Sequence, residues 1–295
     1  MNRQNITGKT KICGVIGDPI AHTMSPAIHN AAFRALGLDY AYVPFHVKPD
    51  YLEQAIMAMR ALNITGLNVT IPHKVHVIPF LDKLDDLTEK IGAVNTIVNS
   101  DGKLKGYNTD ATGFLQTLAD NHVDIKGKRI VVLGAGGASR AVSISLAEKG
   151  ASLIILNRLL ELEWAFELTE HISSLFEIDV EALELTHDNL KNAIAEADIL
   201  INTTSVGMHP DSTSSPIDAD LLKPDLVVFD AVYNPLKTRL LADAEATGAR
   251  TISGIDMLVW QGAHAFEKWT GSKAPVEIMK KQVESLTGSE VEHED

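Results

Sequence analysis

The chain reads as an α/β protein: an N-terminal open-sheet α/β domain followed by a doubly wound parallel sheet. Short Val- and Ile-rich runs alternate with longer amphipathic stretches, the rhythm of strands buried on both faces by helices. At 295 residues the chain exceeds what one core usually organises, so two domains are the default. With 45% hydrophobic and 22% charged residues, 20 Gly and 11 Pro, it has the composition of a folded globule and not of a disordered, collagen-like or coiled-coil chain.

Taken in order, the pattern predicts a strand at 12–16 and a helix at 26–36. Ser25 is placed to cap that helix, Pro26 to start it and Gly37 to stop it. A strand at 41–44, a helix at 51–62, a strand at 66–70 and a helix from Pro72 come next. A strand across 91–99 leads through the turn dipeptide Asp101-Gly102 into 103–107, which predicts an antiparallel hairpin. An amphipathic helix spans 113–121, and the domain boundary falls near Thr109, giving domains of 1–109 and 110–254. From Arg129 the units are a strand at 129–133, a glycine turn, a helix at 138–149 closed by Gly150 and a strand at 153–156. A helix and a strand lead to a helix at 188–195, strands at 198–202 and 226–230, a helix at 238–247 and a short strand at 250–252. Six strands suffice for one doubly wound sheet. The 210–216 stretch reads as an exposed loop and 290–295 as an acidic tail.

Charge and cysteine use narrow the function classes. Lysine plus arginine number 26 against 39 aspartates and glutamates, a net −13, which argues against a nucleic-acid partner because phosphate contacts need a basic face. The single cysteine, Cys13, can form no intrachain disulfide and no cysteine metal cluster, as expected of a reducing, cytoplasmic setting. The polar start, Met1 to Lys11, has no apolar signal core, and no uncharged apolar run approaches the ~18 residues a membrane span needs. His73 and His76 stand three apart, but no neighbouring ligands complete a site, so no metal is expected.

Gly134-Ala135-Gly136-Gly137-Ala138-Ser139 follows a Val/Ile strand and opens a helix. In that context a glycine-rich turn is a dinucleotide site: the glycines let the backbone approach a pyrophosphate, which meets free N–H groups and the positive end of the helix. The next strand ends Leu156-Asn157-Arg158. A guanidinium there suits the 2′-phosphate of NADP better than the ribose hydroxyl of NAD, with Arg140 as a second cation. Leu159, Leu160 and Glu161 add no further positive charge, so NAD stays admissible.

Three earlier segments are unusual for scaffold. Thr23 and Ser25 set two hydroxyls at a helix start, where a carboxylate can be held. Asn68-Val69-Thr70-Ile71-Pro72-His73-Lys74 ends a strand and, with a helix from Pro72, would put Lys74 at the positive pole, where an ammonium gives up its proton more readily. Asn95-Thr96 and Asn108-Thr109-Asp110 place amides, hydroxyls and a carboxylate at element ends. Asn95 and Asn108 read equally well as turn residues satisfying the backbone.

With Asn202-Thr203-Thr204-Ser205-Val206-Gly207-Met208, Tyr233-Asn234-Pro235, Ser253-Gly254-Ile255-Asp256-Met257-Leu258 and Gln261-Gly262-Ala263 in the same order, the chain resembles the shikimate dehydrogenase family, including its quinate/shikimate dehydrogenase relatives, from Gly14 to about Gly271. The resemblance implies reversible, NADP-dependent reduction of 3-dehydroshikimate to shikimate, an oxidoreductase step of aromatic amino-acid biosynthesis on the chorismate pathway. It also implies a substrate domain and a Rossmann cofactor domain flanking a cleft, with the closing helices of 255–295 returning to the first domain. By motif position Lys74 and Asp110 match the catalytic pair. Thr23, Ser25, Asn68, Thr70, Asn95, Tyr233 and Gln261 match substrate-binding groups. Gly134, Ala135, Gly136, Gly137, Ala138, Ser139, Asn157, Arg158, Gly254 and Met257 match cofactor contacts. A homodimer is an option the resemblance leaves open.

The chain departs from the family pattern with Thr23 for the usual serine, Ala111 for a common glycine and Leu159 for a common threonine. The extra methyl of Thr23 narrows the carboxylate end and bears on shikimate against quinate. Two alternatives follow: a quinate/shikimate dehydrogenase using NAD or NADP, and a non-catalytic metabolite-sensing module on the same fold. Retention of both Lys74 and Asp110 speaks against the second, since a sensor needs no proton donor.

Overall fold

A computed structural model describes residues 6–288. The chain forms two compact units, one holding the residues up to Gly113 and from Val259 onward, the other Phe114–Leu258. These boundaries lie at 113 and 258, against the 109 and 254 read from the sequence.

The first unit contains β1 (Lys11–Gly17), α1 (Ser25–Ala35), β2 (Tyr40–His46), α2 (Leu52–Ala61), β3 (Gly66–Val69), β4 (Lys83–Leu84), α3 (Asp86–Ile91), β5 (Thr96–Ser100) and β6 (Lys103–Tyr107). Its six strands lie in the order β2-β1-β3-β5-β6-β4. β1 runs parallel to β2 and β3, whereas β5 is antiparallel to both β3 and β6. The hairpin from β5 to β6 closes at Asp101 and Gly102, whose φ values of 52° and 82° are the left-handed pair a tight hairpin requires. Ile16, Ile56, Met59, Leu67, Val69, Val94 and Ile97 belong to one apolar cluster of this unit.

Two expectations fail here. No α-helix starts at Pro72: the segment is a run of turns ending in a 3-10 turn, Ile78–Phe80. Pro79 would interrupt any helix within two turns, and His73 is drawn inward, its Nε2 lying 2.6 Å from the Val47 carbonyl oxygen. The stretch from residue 91 is not yet strand either. Ile91 ends α3, Gly92 caps it at φ 65°, and β5 begins at Thr96.

α4 (Thr109–Asp120) begins four residues before its apolar pattern, and α9 (Gly254–Thr270) and α10 (Val276–Gly288) close the chain. α10 packs on α1, and Phe266 of α9 stacks on Phe33 at 5.1 Å. The Trp269 indole donates to the Ile97 carbonyl at 3.0 Å across Gly66, where an added Cβ would lie 2.0 Å from Trp269 Nε1. Gly66→Ala is therefore expected to displace the indole, break that bond and destabilise the first unit by about 1–3 kcal/mol, measured as a lower thermal midpoint. A midpoint equal to wild type would show that the ring relocates freely.

The second unit contains β7 (Arg129–Leu133), α5 (Gly137–Glu148), β8 (Ser152–Asn157), α6 (Leu162–Phe176), β9 (Glu181–Glu184), α7 (His187–Glu196), β10 (Ile199–Asn202), β11 (Val227–Asp230), α8 (Arg239–Ala246) and β12 (Arg250–Ser253). All six strands are parallel, in the order β12-β11-β10-β7-β8-β9. Counted from β7 this is the doubly wound order, which reverses between β7 and β10, the place where such sheets bind ligands beyond their C-terminal strand ends. Val131, Leu156, Leu200 and Val228 lie in its core. Among the described residues no helix is long and apolar enough to cross a membrane.

Candidate active site

In the first unit, strand register assembles a continuous polar chain. Asn68 on β3 faces Thr96 on β5. The Asn68 amide donates to Thr96 Oγ1 at 3.0 Å and to the Asn95 carbonyl at 3.1 Å, and it accepts the Tyr42 phenol at 2.7 Å. Asn95 Nδ2 donates to Asp110 Oδ1 at 2.8 Å and to Thr109 Oγ1 at 2.9 Å, while its side-chain Oδ1 accepts the Thr109 N–H at 2.7 Å. The second Asp110 oxygen takes the Lys74 ammonium at 2.6 Å. Lys74 and Asp110 side chains are only 13% and 8% exposed, so the pair is shielded from bulk water yet reachable.

Asp110 sits in the first turn of α4, opened by Asn108, whose Oδ1 accepts the Ala111 N–H at 3.1 Å. Lys74 stands on the turn after β3, its carbonyl fixed by the Val94 N–H at 2.7 Å. Because no helix starts at Pro72, Lys74 does not stand in a first helical turn of its own, and its ammonium instead meets Asp110 in the first turn of α4.

The two hydroxyls at the start of α1 are also arranged differently from the expectation. Met24 occupies the N-cap without a side-chain bond, and Thr23 Oγ1 accepts the Ser25 N–H at 3.3 Å. The Ser25 side chain lies by the Tyr42 phenol and eases its ionisation, and that phenol donates to Asn68. Thr70 directly follows β3, where Gly17 makes room for its methyl: a Cβ on Gly17 would lie 2.5 Å from Thr70 Cγ2. Gln261 lies on α9 against α4, since a Cβ on Gly113 would come within 2.7 Å of the Gln261 nitrogen.

Tyr42, Thr96 and Thr109 complete this network; the sequence marks the two threonines as element-end hydroxyls without giving them a role, and Tyr42 the sequence reading missed. Tyr42 is 2% exposed, and its only sequence signal is an aromatic in a strand. His73 is buried and His76 exposed, so the two rings do not converge on a metal.

In the second unit, Gly134 turns at φ +100° beneath Thr203 and Thr204, within 3.0 and 3.1 Å of an added Cβ. Only glycine enters that turn without strain. A Cβ on Gly136 would meet nothing within 4 Å, and α5 starts there with no side-chain cap. Open space above bare first-turn N–H groups at a positive helix end is what a pyrophosphate needs. Ala135 is buried, Gly137 and Ala138 are half-buried in that first turn, and Ser139 Oγ binds the Gly134 carbonyl at 2.6 Å.

Asn157 ends β8 with its amide on the Glu161 carbonyl at 2.7 Å. Arg158 is exposed, with its Nε donating to Glu161 Oε2 at 2.8 Å. Arg140 lies 3.7 Å from Glu167. Gly254 starts α9 where a Cβ would strike the Ala231 oxygen at 2.5 Å, and Met257 is buried one turn on. Beside that contact Asp230 accepts Thr238 Oγ1 at 2.6 Å, Asn202 Nδ2 at 2.9 Å and Val232 N at 3.0 Å. Burial pushes its carboxyl up to about 6. Tyr233 is half-buried on the following loop.

Comparison with known proteins gives the family and the fold. Residues 15–97 match the model of the shikimate dehydrogenase substrate binding domain, 117–212 that of shikimate/quinate 5-dehydrogenase and 254–284 that of the shikimate 5′-dehydrogenase C-terminal domain. A shikimate dehydrogenase (NADP(+)) of Methanosarcina barkeri is 51% identical over 276 residues, covering 92% of this chain and 97% of that one. A crystal structure of shikimate 5-dehydrogenase from Listeria monocytogenes with shikimate and NAD superposes with a TM-score of 0.87 at 42% identity, over 95% of this chain and 98% of the other. A shikimate dehydrogenase in complex with NADP+ gives a TM-score of 0.88 at 41% identity, over 96% and 98%. Matching domains along the chain, and relatives near half identity over nearly its whole length, mean that this chain belongs to the shikimate dehydrogenase family.

Proposed function

We propose that this oxidoreductase reversibly reduces 3-dehydroshikimate to shikimate with NADP, and that Lys74 supplies and recovers the proton. The observation that carries the reading is the Lys74–Asp110 contact of 2.6 Å, fixed from behind by Asn95. When bound, the nicotinamide would supply the hydride. As the ketone oxygen becomes an alkoxide, the Lys74 ammonium donates its proton to it, and in the reverse direction the amine takes that proton back. Asp110 holds the ammonium by one carboxylate oxygen while Asn95 holds the other, so the donor is aimed before substrate arrives.

Thr23 and Ser25 offer hydroxyls to the substrate carboxylate, and Thr70, Tyr233 and Gln261 offer neutral partners to the ring hydroxyls. Both N–H donors of Asn68 and Asn95 are engaged by protein acceptors, so these two residues position the site more than they grip the ligand. Gly134 to Ser139 would hold the pyrophosphate, Asn157 and Arg158 the adenosine ribose, and Gly254 and Met257 the nicotinamide end. The cytoplasm is the proposed compartment, supported by a lone thiol, Cys13, that is buried in β1 and whose ionisation burial opposes.

Initial rates for shikimate and quinate, each with NADP and NAD, test this reading. The highest kcat/KM is expected for shikimate with NADP. Thr23 in place of serine and the pairing of Arg158 with Glu161 favour quinate/shikimate activity with NAD as the second reading, and a preference for quinate and NAD would install it. Tight binding without turnover would instead install the sensing module.

A further inference from the structure

We propose that Glu161 sets the cofactor preference of this chain, its carboxylate competing with the 2′-phosphate of NADP for Arg158 and offering the free 2′-hydroxyl of NAD an acceptor. The proposal rests on the reading that Asn157 and Arg158 face the adenosine ribose, and it concerns a residue outside that set.

The carboxylate is placed by backbone, not by chance of rotamer alone. Residues Leu159–Glu161 form a 3-10 turn in which the Glu161 N–H returns to the Arg158 carbonyl at 2.9 Å. The Asn157 amide then holds the Glu161 carbonyl at 2.7 Å. So anchored, Glu161 meets the guanidinium with both oxygens, Oε2 on Nε at 2.8 Å and Oε1 on Nη2. The fork that would grip a phosphate is thereby already on a carboxylate. The Glu161 side chain is 25% exposed against 66% for Arg158, so the anion is the more enclosed partner and stays in place when the cation swings toward a ligand.

The neighbouring described residues do not redress the balance at this corner. Arg140 is 18% exposed on its side chain and faces Glu167, and the two residues after Arg158 are the exposed leucines Leu159 and Leu160. Two arginines thus face two glutamates. A 2′-phosphate brings close to two further negative charges beside Glu161, whereas the ribose of NAD brings none. A carboxylate after the second strand is, in addition, the usual partner of that ribose hydroxyl.

Calorimetric titration of the full chain with adenosine 2′,5′-bisphosphate and with 5′-AMP separates these contributions from turnover. Glu161→Gln is expected to tighten the bisphosphate by about three- to tenfold at low salt, with the gain shrinking as salt rises, and to leave AMP unchanged or weaker. The kcat/KM ratio of NADP to NAD should rise by a similar factor. An unchanged or weakened bisphosphate affinity in Glu161→Gln, while Arg158→Gln weakens it, overturns the proposal and spares the cofactor-site reading. If Arg158→Gln leaves the bisphosphate affinity unaltered, the phosphate is held elsewhere, and reading and proposal fall together.

Discussion

Lys74→Ala is expected to lower kcat for shikimate oxidation and dehydroshikimate reduction by about a hundred- to ten-thousand-fold, with KM changed little. That is the range for one acid–base group, and it follows because the ammonium acts on charge that exists only as the alkoxide forms. Water can still deliver a proton, so some turnover survives. The main chain at this position is tied independently of the side chain, through the Val94 N–H on the Lys74 carbonyl, so the turn after β3 persists in the variant. The truncation does leave Asp110 without its cation, but Asn95 still binds its other oxygen at 2.8 Å. Melting curves with and without NADP check that the variant folds and binds. If kcat stays within threefold of wild type in a folded, NADP-binding variant, the proton passes through another group and the assignment fails.

The parts of this architecture set by local chemistry were legible in the sequence. β7 was read to the residue, Arg129–Leu133, because a Val/Ile run between a charged turn and glycines admits little else. Gly37 and Gly150 were read as helix stops and adopt φ values of 62° and 82°, which only glycine takes at low cost. The segment after β3 was misread because Pro72 imitates a helix start, while the interaction that wins, His73 with the Val47 carbonyl, joins residues 26 apart. Lys74 and Asp110 were singled out by motif, yet their contact was not visible in either segment alone. Likewise Tyr42 and Thr96 enter the network through strand register, and Thr109 through the start of α4: Tyr42 pairs with Cys13, Val15 with Asn68, and Asn68 with Thr96. A one-residue slip in any of these pairings would turn the side chain to the opposite face, so their convergence belongs to the folded sheet and not to any local pattern.

The folded first unit is expected to lose stability on acidification through one residue, His29. Its ring is 1% exposed, stacked on Tyr42 at 4.4 Å with 9° between planes and lying 5.2 Å from Trp269. Neither ring nitrogen has a hydrogen-bond partner among the described residues. An imidazolium there would be unsolvated and would face no anion, because burial also holds the Tyr42 phenol neutral. Desolvation accordingly lowers His29 from 6.5 to about 3. Between those values the unfolded chain binds a proton that the folded one refuses, so stability rises with pH. The contribution is complete above 6.5 and is lost as pH falls toward 3, at about 1.4 kcal/mol per pH unit and about 5 kcal/mol in all. Asp230, raised to about 6 in the other unit, works in the opposite sense, since the charged form that burial opposes is here the deprotonated one. Total stability therefore mixes the two, and the difference between wild type and His29→Phe isolates the histidine. Phenylalanine keeps a ring between Tyr42 and Trp269 and carries no titrating group, so any packing penalty it introduces is the same at every pH. Denaturant unfolding at pH 7.5 and 4.5 should show wild type losing about 2–3 kcal/mol relative to His29→Phe over that interval. A constant difference between the two proteins would mean that His29 gains a proton or a partner in the folded state, and the buried neutral ring would have to be abandoned.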